Sequence, residues 1–157
     1  MKGLTHRLSR WLRDCSGTNL VEAAIVAPLL IFLSFAIIDF AMLFSVYLAL
    51  ENGVSQASRY GVTGQSVAGA TREASLIDAM KRATPTLTLN ADNFTFTHLP
   101  PGGTAWVSGT GGPNDVAKIT VNYTWAFLTP IMRPLFNDGS IKLTVESAMK
   151  NESRFEQ

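Results

Sequence analysis

Gly17-Thr18-Asn19-Leu20-Val21-Glu22 leads into Ala23-Ala24-Ile25-Val26-Ala27-Pro28-Leu29-Leu30-Ile31-Phe32-Leu33-Ser34-Phe35-Ala36-Ile37-Ile38-Asp39-Phe40. No charge occurs from Ala23 to Ile38, and beyond Asp39 the apolar character carries on to Leu50. As a helix rising ~1.5 Å per residue, residues 23–38 span about 24 Å, short of a hydrocarbon core of roughly 30 Å. A membrane span must therefore borrow residues past Asp39, and residues 23–48 are expected to form it. The alternative is a buried core helix, but a 157-residue chain rarely hides a helix that is apolar on every face for this length.

The flanks give the helix a direction. Residues 1–17 carry Lys2, Arg7, Arg10 and Arg13 against Asp14, a net charge of +3, whereas the remainder carries nine basic and eleven acidic residues. A short basic flank ahead of an apolar helix resists translocation, so the N-terminus is expected inside and residues beyond about 51 outside. The outer part has no basic stripe to neutralise a row of phosphates, which argues against a nucleic-acid partner. The single cysteine, Cys15, rules out an intramolecular disulfide and a cysteine-based zinc site. It is read as a bystander in the leader, since no apolar region precedes it as lipidation would require.

A secretory signal places its apolar region before the cleavage site. Here the order is reversed: a cut after Gly17 would discard the basic leader, make Thr18 the first residue, and put Glu22 at the fifth mature position. That arrangement resembles the type IV pilin class, whose peptidase cuts after a glycine and whose mature chains carry a glutamate at position five. Within the class the chain is most similar to the TadE-like minor pseudopilins of the tight-adherence (Tad/Flp) pilus system. The likeness is carried by Val21-Glu22-Ala23, Ala27-Pro28-Leu29, Ile38-Asp39-Phe40 and Ala57-Ser58-Arg59-Tyr60-Gly61, and returns in Ser147-Ala148-Met149-Lys150-Asn151-Glu152. Ala23 stands where the major Flp pilin has tyrosine, and the chain is far longer than that short pilin, so the resemblance implies a minor component. It further implies an inner-membrane, single-pass protein with a periplasmic C-terminal domain. The partners implied are a prepilin peptidase, other pilus subunits (a second TadE-like or TadF-like subunit first) and the membrane platform, with roles in secretion and adhesion.

Glu22 can also be weighed by its chemistry. A carboxylate at the edge of hydrocarbon costs a few kcal/mol if unpaired. Cleavage would create a partner, because the new α-amine of Thr18, with an ordinary pKa near 8, is largely cationic at pH 7. Thr18 and Glu22 are four residues apart, so the pair closes within one helix or sets the axial register between neighbours. The bland alternative is a glutamate snorkelling to water.

Further along, Pro28 removes one backbone donor and kinks the span, an effect that membrane helices tolerate. Ala41, Ser45 and Ala49 form a ridge of small residues at the spacing that lets helices approach in lipid. On another face, Phe40, Leu43, Tyr47, Leu50, Val54 and Ala57 alternate spacings of three and four, a seam for a partner helix or for the outer domain's own sheet. Asp39 lies about 26 Å from Glu22 at ~1.5 Å per residue, near the opposite bilayer face. Contact with a partner subunit and a simple mark of the outer interface are equal readings for it. Helix one is expected over 18–60, with Gly61 as its stop.

Residues 61–157 are expected to form an α+β domain of type IV pilin-like design. Val62 to Ala70 reads as a linker. A second helix is expected from Thr71 to Ala83, with Leu76, Ile77, Met80 and Ala83 on one face and Pro85 ending it. The period then changes to two. Phe94 and Phe96, then Ala117, Ile119, Val121, Tyr123 and Trp125, and finally Ile141, Leu143, Val145 and Met149 alternate with polar residues. One dry face and one wet face signify a small antiparallel sheet covered on one side by the outer half of helix one and by the second helix.

The glycine-rich stretch Gly102 to Asp115 reads as a mobile hairpin loop, with Trp106 expected in the core rather than exposed as a partner anchor. Leu128-Thr129-Pro130-Ile131-Met132-Arg133-Pro134-Leu135-Phe136 is apolar but broken by proline, suited to pack across an open end of the sheet or to lie on the membrane surface. Asn137-Asp138-Gly139 turns the chain into the last strand. The Asn-x-Ser/Thr triplets at Asn93, Asn122 and Asn151 are given no role.

The histidines, His6 and His98, join no nucleophile motif or phosphate loop, and no catalytic residues, cofactor, metal or small-molecule substrate are expected. Three functions compete: a minor pseudopilin cut after Gly17, an uncleaved signal-anchor protein with a periplasmic partner-binding domain, and a membrane-tethered enzyme. Cleavage at Gly17 separates the first from the others.

Overall fold

The computed structural model describes residues 16–153. Lys2, His6, Arg7, Arg10, Arg13, Asp14 and Cys15 lie outside the described residues, so the basic leader has no structural account.

Helix α1 runs from Ser16 to Val62, and helix α2 from Arg72 to Ala83. The 47 residues of α1 make a rod of about 70 Å at ~1.5 Å per residue. Thr71 caps α2: its hydroxyl accepts from the Ala74 amide at 3.2 Å, which satisfies one of the orphan amides of the first turn. Glu73 in the first turn and Lys81 and Arg82 in the last complement the helix dipole. Four antiparallel strands follow: β1 (Phe94–Leu99), β2 (Val107–Ser108), β3 (Val116–Ala126) and β4 (Ser140–Lys150), in the order β2-β1-β3-β4. The layout is α+β, as the switch of period from 3.6 to two foretells.

Register explains why one face is dry. Phe94 pairs with Val121 and Val121 with Val145, while Phe96 pairs with Ile119, so apolar side chains line up across three strands. Phe94 and Phe96 stack with ring centroids 6.2 Å apart. Against this face lies the outer half of α1, where Val46, Leu50, Val54 and Ala57 are buried together with Leu76 and Met80 of α2. The three-four seam is thus filled by the chain's own domain. Leu43 and Tyr47 pack at its margin, and Phe40 remains half exposed.

Gly53 sets how closely the helices approach. A Cβ there would stand 2.5 Å from Thr84 Cγ2 and 3.3 Å from the Met80 side chain. The lack of a side chain at this position is what allows the end of α2 to lie against α1.

β3 runs antiparallel to α1. Its start lies near the helix's outer end, where the Glu152 amide donates to Val62 O at 3.0 Å. Its far end leads into the loop at Asp39. Eleven strand residues cover about 36 Å at ~3.3 Å each, and the 23 steps from residue 39 to 62 cover about 35 Å of helix, so the two lie alongside with matched lengths.

Trp106 corrects an expectation. It is not in the core: 44% exposed, it lies on the wet face, with Lys118 Nζ 4.5 Å from the centroid of its ring. The Gly102–Asp115 stretch is also more than a loop, since Val107 and Ser108 pair with His98 and Thr97 as the edge strand β2. The physical reason is that a tryptophan covered by a lysine stem and ammonium gains cation–π attraction without full burial.

Candidate functional site

Two features of α1 carry the functional argument: a bare apolar half and a buried acid where that half ends. From Gly17 to Phe35 every residue is exposed, on all faces of the helix. Leu20, Ile25, Leu29, Leu33 and Ile37 are among the large apolar side chains left uncovered. The helix is long and apolar enough to cross a membrane, and no residue of its most apolar window is buried inside the molecule. A core helix of a soluble protein would be covered, so the exposure together with the length fits a single-pass membrane protein.

Glu22 and Thr18 lie on this bare half, one turn apart and both exposed. Gly17 is also exposed within the helix, and a Cβ there would meet open space. Ala41 and Ser45 are exposed and Ala49 is half-buried, so their ridge faces away from the sheet. Pro28 sits inside the continuous helix.

Asp39 is fully buried. Its Oδ1 accepts from the Leu128 amide at 3.0 Å, and its Oδ2 from the Thr129 amide at 3.2 Å and from the Thr129 hydroxyl. A carboxylate taken out of water needs several donors to offset desolvation, and a turn after β3 supplies them. Around it Phe127, also fully buried, stacks on Phe136 with centroids 4.2 Å apart and meets the edge of Phe40 at 6.3 Å. The proline-broken segment folds as short 3-10 turns, Arg133–Leu135 and Asn137–Gly139, and closes the lower end of the sheet. The acid that interrupts the apolar run is thus the point where the outer domain grips the helix.

A second polar junction, which the sequence did not single out, closes the opposite end. The Arg72 guanidinium donates to Gly61 O at 2.6 Å, Gly111 O at 2.7 Å and Asn151 Oδ1 at 3.3 Å. Asn151 is buried and its Nδ2 donates to Gly112 O at 2.8 Å. Burial pushes the Arg72 guanidinium below its ordinary pKa, and the charge of Asp115 partly restores it. One side chain therefore gathers the end of α1, the glycine-rich arm and the end of β4. The signal available in sequence was weak, because an arginine in a first helical turn ordinarily reads as solvated.

The asparagines of the three triplets are all engaged. Asn93 caps a turn, accepting from Asn90 N at 2.7 Å and donating to Asn122 O at 2.8 Å, while Asn122 accepts from the Thr144 hydroxyl at 2.9 Å. A cleft beside the Arg72 junction, between Phe96, Ile119 and Met149, has about 10 Å³ of room, the scale of a single water. His98 stands at the end of β1, 3.8 Å from Asp115, with Nδ1 3.3 Å from Gly109 O.

No curated protein and no solved structure matches this chain. A family model described as TadE-like protein matches residues 17–59, which is the bare half of α1 and most of the half that forms the domain's spine. The match begins at the glycine of the expected cut and contains both Glu22 and Asp39. Over residues 17–59 this chain is similar to the TadE-like family, in line with the resemblance carried by that helix.

Proposed function

We propose that this chain is a minor pseudopilin-like assembly subunit of a Tad/Flp pilus machinery, cut after Gly17 by a prepilin peptidase and assembled through its apolar helix. The observation that carries this reading is that the TadE-like match falls on a helix whose first half is bare while its second half is the core of a folded domain. A subunit built this way stores its apolar half in the inner membrane and presents the same surface to neighbouring helices during assembly. In lipid, small-residue ridges such as Ala41, Ser45 and Ala49 let such helices pack.

The leader's positive charge holds the N-terminus on the cytoplasmic side, so the α+β domain lies in the periplasm. Cleavage leaves the Thr18 α-amine one turn from Glu22. In hydrocarbon that pair is worth more than in water, and between adjacent subunits it sets the axial register. Asp39 enters this reading differently from Glu22: its donors come from its own chain, so it fixes the outer domain to the helix rather than seeking a neighbour.

The test is mass spectrometry of the protein co-produced with its peptidase. An N-terminus at Thr18 is expected. An intact leader in cells that make normal fibres would overturn the reading and leave the signal-anchor docking protein in its place.

A further inference from the structure

We propose that the Leu128–Phe136 segment is a second membrane contact, a foot by which the outer domain rests in the headgroup boundary beside its own helix. The inference rests on the membrane reading of α1 given above.

Position comes first. The hydrogen bonds to Asp39 hold Leu128 and Thr129 at the level of helix residue 39. That level is about 26 Å above Glu22 at ~1.5 Å per residue, close to the outer edge of a roughly 30 Å hydrocarbon core that begins near Glu22. Irregular backbone this close to lipid therefore lies where the membrane gives way to water.

Its chemistry suits that place. Leu128 and Leu135 are each 62% exposed and Ile131 is 43% exposed. On the helix just beyond Asp39, Met42 and Phe44 are exposed as well. Met132 of the segment, and Phe127 immediately before it, are buried. The segment is thus two-sided, with one apolar side spent on the domain and the other left outward. Arg133, exposed on this side, donates from Nε to Phe127 O at 3.1 Å, and the rest of its guanidinium supplies a cation of the kind that reaches lipid phosphate.

The backbone gives an independent argument. Irregular chain is tolerated near hydrocarbon when its polar groups are satisfied internally. The amides of Leu128 and Thr129 go to Asp39, that of Phe127 to Gly139 O at 3.1 Å, that of Met132 to Thr129 O at 3.2 Å, that of Leu135 to Met132 O at 3.1 Å, and that of Phe136 to Arg133 O at 3.2 Å. Pro130 and Pro134 have no amide hydrogen to satisfy. Five of the segment's seven amides thus find acceptors within the molecule, more than a water-facing loop requires. With this pairing, Asp39 serves as the acceptor that lets the foot sit at this depth.

The experiment is site-directed spin labelling of the full chain with Cys15→Ser, reconstituted in phosphatidylcholine and phosphatidylglycerol vesicles. Labels are placed singly by Leu33→Cys, Leu128→Cys, Leu135→Cys and Thr144→Cys, and collision with oxygen is compared with collision with a water-soluble nickel chelate. The labels at 128 and 135 are expected to favour oxygen, to a degree between the deep label at 33 and the aqueous label at 144. Labels at 128 and 135 that match 144 would overturn the foot, and so would labels shielded from both reagents, the mark of a protein partner covering the segment. A label at 33 that behaves as aqueous would instead refute the membrane reading itself.

Discussion

The carboxylate of Asp39 accepts from both the backbone amide and the hydroxyl of Thr129, a residue ninety positions further along the chain. This single junction joins the helix to the lower end of the sheet. Replacing Asp39 by alanine leaves the part-buried amides of Leu128 and Thr129 without their acceptor, at up to about 1 kcal/mol for each. Asp39→Ala in detergent-solubilised protein is expected to lower the unfolding midpoint and to admit protease between residues 127 and 139. Thr129→Val should weaken the same junction, and the double variant should cost less than the two separate losses added together. Additive losses would mean that the two side chains act separately.

Gly53 separates contact from conformational preference. In a helix, glycine to alanine is ordinarily favourable by about 1 kcal/mol. Here the added Cβ would meet Thr84 Cγ2 at 2.5 Å, and Thr84 is buried with its hydroxyl donating to Met80 O at 2.9 Å. Gly53→Ala is therefore expected to destabilise by about 1–3 kcal/mol, as overpacked cores do. Chemical denaturation read by circular dichroism checks the sign.

Gly17→Ala isolates processing from folding. Nothing lies within 4 Å of a Cβ at this position, so the substitution leaves the fold's stability unchanged or slightly raised. Loss of the cut at Thr18, read by mass spectrometry, would then report on recognition by the peptidase alone. Unimpaired processing would show that the glycine is dispensable to it.

Leu50 and Leu33 lie on the same helix but in different surroundings: Leu50 is fully buried between sheet and α2, and Leu33 is exposed. Leu50→Ala should cost about 2–5 kcal/mol of outer-domain stability through the cavity it opens. Leu33→Ala should leave that domain's unfolding transition in place. Equal effects would argue against a division of the helix into a bare half and a spine.

The Arg72 junction predicts a local opening. Arg72→Lys keeps the charge but cannot span Gly61 O, Gly111 O and Asn151 at once with a planar fork. Faster amide hydrogen exchange is expected at Glu152, Asn151 and Asn114, which tie the C-terminal stretch to the helix end and the arm. Exchange should change little near Asp39 at the opposite end of the sheet.

Much of the architecture was legible because it depends on period. The alternation of Ile119, Val121, Leu143 and Val145 names the dry face, and the spacing of Leu50, Val54 and Ala57 names the helix stripe that covers it. Both follow from the fixed direction of side chains along a strand or a helix. Trp106 was misjudged for the opposite reason. Its burial depends on where a glycine-rich arm folds, and no periodicity governs that; the arm carries it to Lys118 on the wet face.

The sequence by itself determined that an apolar helix with a glycine and a glutamate at its head would join an α+β domain. Length, charge placement and periodicity are properties of neighbouring residues. Tertiary structure alone decided the partners of Asp39 and Arg72, because each finds its acceptors or donors on elements brought near only when the sheet closes on the helix. A buried charge is tolerated only where distant backbone groups converge on it, and convergence of that kind belongs to the fold rather than to any local run of residues.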